Sequence, residues 1–154
     1  LLQAREIRWC LQGHPRGGPL DQVLAAFLEF WENHAIPHLQ EEEEVLLPAY
    51  QVHVSLEQDE ATTRMLEDHI WLHQAVAELQ FLIGQGQLDQ ALFCTVGQRL
   101  DDHVRLEERV VFQRIQAELS EDELSQVARR SQAFRRRWQA LGSTCLADQS
   151  LLRA

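Results

Sequence analysis

Three stretches of the chain keep apolar residues at alternating spacings of three and four, and each is interrupted once by two metal-ligand-type side chains four positions apart. The first line reads Leu28, Trp31, Ala35, His38, Glu42, Val45. The second reads Leu66, His69, His73, Val76, and the third Val96, Leu100, His103, Glu107, Val110. Such stepping holds side chains on one face of an α-helix, where residues four apart lie ~40° from each other around the axis. Each stretch is therefore predicted to be a helix whose inward face is apolar at both ends and polar between.

The same periodicity extends along the rest of the chain, broken by short glycine- and proline-bearing segments and without sustained strand-like alternation, so the expected class is all-α. A first helix is predicted over residues 1–12, stopped by the Gly13 to Pro19 turn. The second covers residues 20–47, kinked near Asn33 by Pro37 and ended by Pro48. A connection at 51–55 leads to a third helix over 56–83, stopped by Gly84-Gln85-Gly86, and a fourth spans 88–119. Ser120-Glu121-Asp122-Glu123 has the form of a capping box and opens a fifth helix to about Leu141. Long helices with short connections predict one domain: an up-and-down antiparallel four-helix bundle over about 1–119, with an additional C-terminal helix and tail over 120–154.

Composition narrows the function. Twenty-four acids against 14 basic residues give a net charge of −10, which disfavours nucleic acid, where affinity comes from neutralising phosphates, and an acidic membrane surface. No apolar run approaches the ~20 residues of a membrane span, and no leader pattern opens the sequence. Cys10, Cys94 and Cys145 are odd in number and far apart, which points to a reducing compartment and a cytoplasmic protein. The Arg135-Arg136-Arg137 run and Glu41, Glu43 and Glu44 read as solvated faces.

Six imidazoles and carboxylates in three core seams need compensation, because an unpaired buried charge is strongly destabilising. A metal cation supplies it: imidazole suits iron, zinc or copper, carboxylates bridge hard cations, and i,i+4 pairs on facing helices converge on one centre. One His-x-x-x-Glu pair is an ordinary surface interaction, but His38/Glu42, His69/His73 and His103/Glu107 recur in consecutive core seams. The E-x-x-H pattern of ferritin-like sites is missing, as are H-E-x-x-H, a P-loop, G-x-G-x-x-G and G-x-S-x-G.

The strings from His38 to Pro48, Glu67 to His73 and His103 to Glu108, in the order H-x-x-x-E, H-x-x-x-H, H-x-x-x-E, resemble the hemerythrin-like, or HHE cation-binding, domains over about residues 1–118. The resemblance implies a non-haem di-iron centre inside the bundle, with zinc or manganese as substitutes. Carried over, His69, His73 and His103 would ligate one iron and His38 the other, with Glu42 and Glu107 as bridges. Oxygen-carrying hemerythrins bear an aspartate five residues after the last helix's histidine, whereas Glu107 and Glu108 stand four and five after His103 here. Helical geometry favours Glu107, while a longer side chain or a local distortion would select Glu108.

The family also takes a histidine from its first helix, and the predicted first helix has none. That ligand is expected upstream of Leu1, with His34, one turn before His38, as the alternative, and a water or a mononuclear site as the remaining one. His14 and His53 read as loop residues. Trp31 and Trp71 fall beside the ligands, as core packing or as pocket wall.

The leading expectation is a hemerythrin-like protein that binds O₂ or a related small molecule, or senses iron and redox state. A di-iron enzyme consuming peroxide or nitric oxide is the first alternative. The second is a metal-free helical module for protein contacts, its polar pairs forming a hydrogen-bonded network.

Overall fold

A computed structural model describes residues 5–7, 9 and 18–151, with side chains as far as Leu141. Among them every regular element is helical. Residues 20–50 form α1, Glu60–Gly84 α2, residues 90–118 α3 and Glu121–Leu151 α4, with a short 3₁₀ turn at Leu56–Gln58. Residues 5–7 and 9 are helical as well, whereas His14, Cys10 and most of the predicted first helix lie outside the described residues.

Local chemistry sets the starts. The Asp59 carboxylate accepts from the amides of Ala61 and Thr62 at the head of α2, and Asp89 accepts from that of Leu92 at the head of α3. The capping box forms at α4: the Ser120 amide donates to Glu123 Oε2 at 2.9 Å, and the Glu123 amide donates back to Ser120 Oγ at 3.4 Å. Gly86, at φ 71°, takes the left-handed conformation after α2, where its amide and that of Gln87 satisfy the carbonyls of Ile83 and Leu82.

Three π turns lie within α1 and α3, at Trp31–Ala35, Glu42–Leu46 and Glu107–Val111. In α1 they account for both prolines. The Ile36 amide donates to the carbonyl five residues back, on Trp31, and the Leu47 amide does the same to Glu42. Pro37 and Pro48 follow these two residues, so the widened turn precedes the ring that would otherwise press on the backbone behind it. The expected stop at Pro48 is thereby corrected: α1 continues through it to Tyr50. The fifth predicted helix also outruns its expected end, since α4 continues past Leu141 to Leu151.

Two apolar clusters hold the helices. One joins Val23, Phe27, Trp31 and Leu39 of α1 to Leu72, Val76 and Leu79 of α2 and Phe93, Val96 and Leu100 of α3, with Ile7 from the first helical residues. The other joins Tyr50, Met65, Val111, Ile115 and Leu119. The first cluster takes the early parts of α1 and α3 but the late part of α2, so α2 runs opposite to both neighbours. Ile7 approaches closely at Gly97, where an added Cβ would meet Ile7 Cγ2 at 3.0 Å.

α4 lies along α1. Phe134 is buried, Arg135 grips Glu41 through two bonds of 2.7 and 2.8 Å, and Arg137 reaches Glu44 at 2.6 Å. The arginine and glutamate runs expected to face solvent are in part each other's partners. Among the described residues no helix is long and apolar enough to cross a membrane.

Candidate metal centre

Between the two apolar clusters the inward positions turn polar. On α1, Glu42 stands between Leu39 and Tyr50; on α2, His69 stands between Met65 and Leu72; on α3, His103 and Glu107 stand between Leu100 and Val111. All four polar side chains are buried, at 1 to 3% exposure. One ligand-type atom from each lies within 4.8 Å of those of the other three, a group able to hold a metal ion. His69 Nε2 is 3.4 Å from Glu42 Oε2 and 3.8 Å from Glu107 Oε1, and His103 Nε2 is 2.6 Å from Glu107 Oε1.

Closeness is not satisfaction here. Both oxygens of Glu42, Nε2 of His69, both ring nitrogens of His103 and Oε1 of Glu107 are buried without an aligned hydrogen bond. Leaving a buried polar atom unpaired costs ~1–3 kcal/mol, and more when it is charged, so a hydrogen-bonded network is a poor account of this cluster. Lone pairs of two carboxylates and two imidazoles turned toward one another are what a hard or borderline cation requires. The residues fit the group.

The protonation pattern of the protein without metal has the same origin. Burial, with Glu107 alongside, pushes the Glu42 carboxyl up. Burial would push Glu107 up as well, but His103, His38 and His69 outweigh it and hold this carboxyl well below the usual range. Burial alone would lower His69; the carboxylates of Glu107, Glu42 and Glu43 overcome it and raise the imidazole to about 10.

The other expected site residues are distributed around this group. His38 is half-exposed and places Nε2 3.4 Å from Glu42 Oε1 and 3.9 Å from Glu107 Oε2. His73 stands apart from the cluster, its ring edge-on to Trp31 with centroids 5.3 Å apart. Glu108 is exposed, so of the two candidate bridges Glu107 is the one turned inward. His34 is exposed, its ring 6.0 Å from that of Phe30.

A cavity of about 210 Å³ lies against the cluster, with His103, Glu107, His38 and His34 on one part of its wall and Trp31, Phe30, Leu39, Leu100 and Val104 on the rest. Trp71, expected as a second wall, is instead covered by the Arg99 guanidinium at 5.1 Å from its ring and does not line this cavity. His34 and His38 also border an outer groove of about 460 Å³ between α1 and α4, closed by Phe134, Arg135 and Trp138.

Two residues at the site escaped the sequence reading. Glu43 Oε1 lies 2.7 Å from His69 Nδ1. Asp68 is buried at 2%, bound by Arg99, with Oδ2 3.8 Å from His103 Nδ1. Asp68 immediately precedes His69, and Arg99 stands four before His103; these adjacencies are the only local signals of their roles.

Residues 2–115 match a protein family described as Hemerythrin HHE cation binding domain. No curated protein and no solved structure matches the chain.

Proposed function

The chain belongs to the hemerythrin HHE cation-binding family, and from that premise we propose that it is a non-haem di-iron protein that binds O₂ or a related small molecule, or senses iron and redox state. The observation that carries this reading is the buried group Glu42, His69, His103 and Glu107 with its lone pairs unsatisfied. In the proposed arrangement Glu42 and Glu107 would bridge, His69 and His103 would serve one metal and His38 the other, and His73 would have to leave Trp31 to complete the set. These ligands belong to a single domain, with the first helix closing a four-helix bundle and α4 added outside it. Iron, when bound, supplies reversible electron transfer and an open coordination position; zinc or manganese would fill the same donors without the same redox chemistry.

What the protein's own residues do follows from their placement. The apolar wall of Trp31, Leu39, Leu100 and Val104 favours a small uncharged guest such as O₂ or nitric oxide and disfavours ions, whose desolvation there is uncompensated. His38, half in the groove and half against the two glutamates, is the polar side chain between solvent and the centre. A cytoplasmic setting goes with this reading, since a reducing compartment keeps both ferrous iron and the free thiol of Cys94.

Elemental analysis after anaerobic Fe(II) loading tests the proposal. About two irons per chain are expected for a carboxylate-bridged bundle site. One metal or none would remove the di-iron reading.

A further inference from the structure

We propose that Glu43 is a positioning residue that fixes the tautomer of His69, so that this imidazole offers Nε2 to the metal; the inference rests on the metal-centre reading above. A neutral imidazole carries one N–H and one lone pair, and whatever accepts from one nitrogen decides which nitrogen is free to ligate. His69 meets Glu43 Oε1 with Nδ1 at 2.7 Å, while its Nε2 faces Glu42 and Glu107 without a hydrogen bond. The acceptor outside the cluster takes the proton and leaves the lone pair directed inward.

His103 is placed differently. Its Nε2 faces Glu107, and its Nδ1, 3.8 Å from Asp68 Oδ2, makes no hydrogen bond. The other oxygen of Asp68, Oδ1, is held by Arg99 Nε, so this almost fully buried carboxylate is oriented by the arginine of α3. α1 lends the Glu43 carboxylate to the histidine of α2. Glu43 is not among the family's three motif pairs. Glu43 shares with Glu41 and Glu44 a run that otherwise answers to arginines on α4, and its own partner is the ring of His69.

The test uses the full chain, Zn(II) in competition with a chromophoric chelator, and long-range ¹H–¹⁵N spectra of the zinc-loaded protein. Glu43 is 44% exposed, so Glu43→Ala should fold. It is expected to weaken Zn(II) binding ~10- to 100-fold and to lose the fixed Nδ1–H signature of His69. Glu43→Gln should restore most of both, since its amide oxygen still accepts from Nδ1–H. Glu44→Ala, which loses only Arg137, is expected to change neither readout. Glu43→Ala binding within ~2-fold of wild type, with the His69 tautomer unchanged, overturns the inference while leaving the metal centre standing. A wild-type chain that takes up no zinc or iron overturns the metal-centre reading and this inference with it.

Discussion

Glu42 and Glu107 each stand first in a π turn, one on α1 and one on α3, and their carboxylates close on the same His69 Nε2 from 3.4 and 3.8 Å. The carbonyl of each accepts from the amide five residues on, Leu47 and Phe112. Each glutamate keeps its α-helical spacing to the histidine four residues before it, while the backbone after it is widened by one residue. Such single wide turns inside α-helices cluster at functional sites, and here the two fall at the two candidate bridges.

The two glutamates should nevertheless respond differently to loss of charge. Glu107 is held as an anion by three imidazoles, so its contribution to stability is present above the unfolded carboxyl pKa and is lost as pH falls below it. Glu42 is pushed the other way, so Gln imitates the form that burial favours. In the metal-free protein Glu107→Gln is expected to cost ~3 kcal/mol and Glu42→Gln less than ~1, read from urea unfolding at pH 7. Both should lose tight Fe(II) binding, and equal stability losses would refute the charge assignment.

That Glu42, His69, His103 and Glu107 fall in inward seams was legible because an i,i+4 pair in an apolar seam is a local pattern, and locality is what periodicity reports. Glu43 was not. Its angular position one residue from Glu42 reads as outward on an ideal helix, and only the neighbouring α2 reveals that its side chain meets His69. The pairing of Arg135 with Glu41 was hidden for the same reason, since the two are joined only by the docking of α4 on α1. Pro48 misled on the end of α1 because a π turn before it, invisible to a fixed helical period, accommodates the ring.

Tyr50 ties the far end of the helices together and sets a limit at high pH. Its hydroxyl donates to Asp59 Oδ2 at 2.9 Å, while Arg114 holds Asp59 Oδ1 at 2.6 Å. Burial, with the Asp59 carboxylate beside it, pushes the phenol up to about 12. Its raised pKa means that the folded state favours the neutral form, so this contribution is whole below the unfolded value near 10 and fades as pH rises toward 12. Tyr50→Phe should cost ~1 kcal/mol at pH 8 and flatten the decline between pH 10 and 12, both measured by urea unfolding. A decline as steep as wild type would assign it to other groups.

Arg135 and Arg137 anchor α4 from exposed positions, so their energetic weight is small and their effect local. Exposed ion pairs contribute ~0.2–1 kcal/mol each, and the bidentate Arg135–Glu41 pair belongs at the upper end. The double variant Arg135→Ala/Arg137→Ala is expected to lower global stability by ~1 kcal/mol while accelerating amide hydrogen exchange over residues 121–141. High salt should reproduce part of that acceleration in the wild type. Unchanged exchange over this segment would show that Phe134 and the rest of the α4 contact hold it without the arginines.

His73 offers an internal reporter, because its ring stands edge-on against Trp31, 5.3 Å between centroids, one turn along α2 from His69. If metal recruits His73 as the hemerythrin pattern implies, the imidazole must leave the indole, and the environment of Trp31 changes as the site fills. Zn(II), which has no redox chemistry, is the suitable probe. Titration is expected to shift the tryptophan emission of the wild type. Trp31→Phe and His73→Ala should each abolish that shift, and only His73→Ala should also weaken binding. Zinc uptake by His73→Ala at wild-type affinity would instead confine the site to Glu42, His69, His103 and Glu107 with His38 at its edge, and would leave His73 as the packing partner of Trp31.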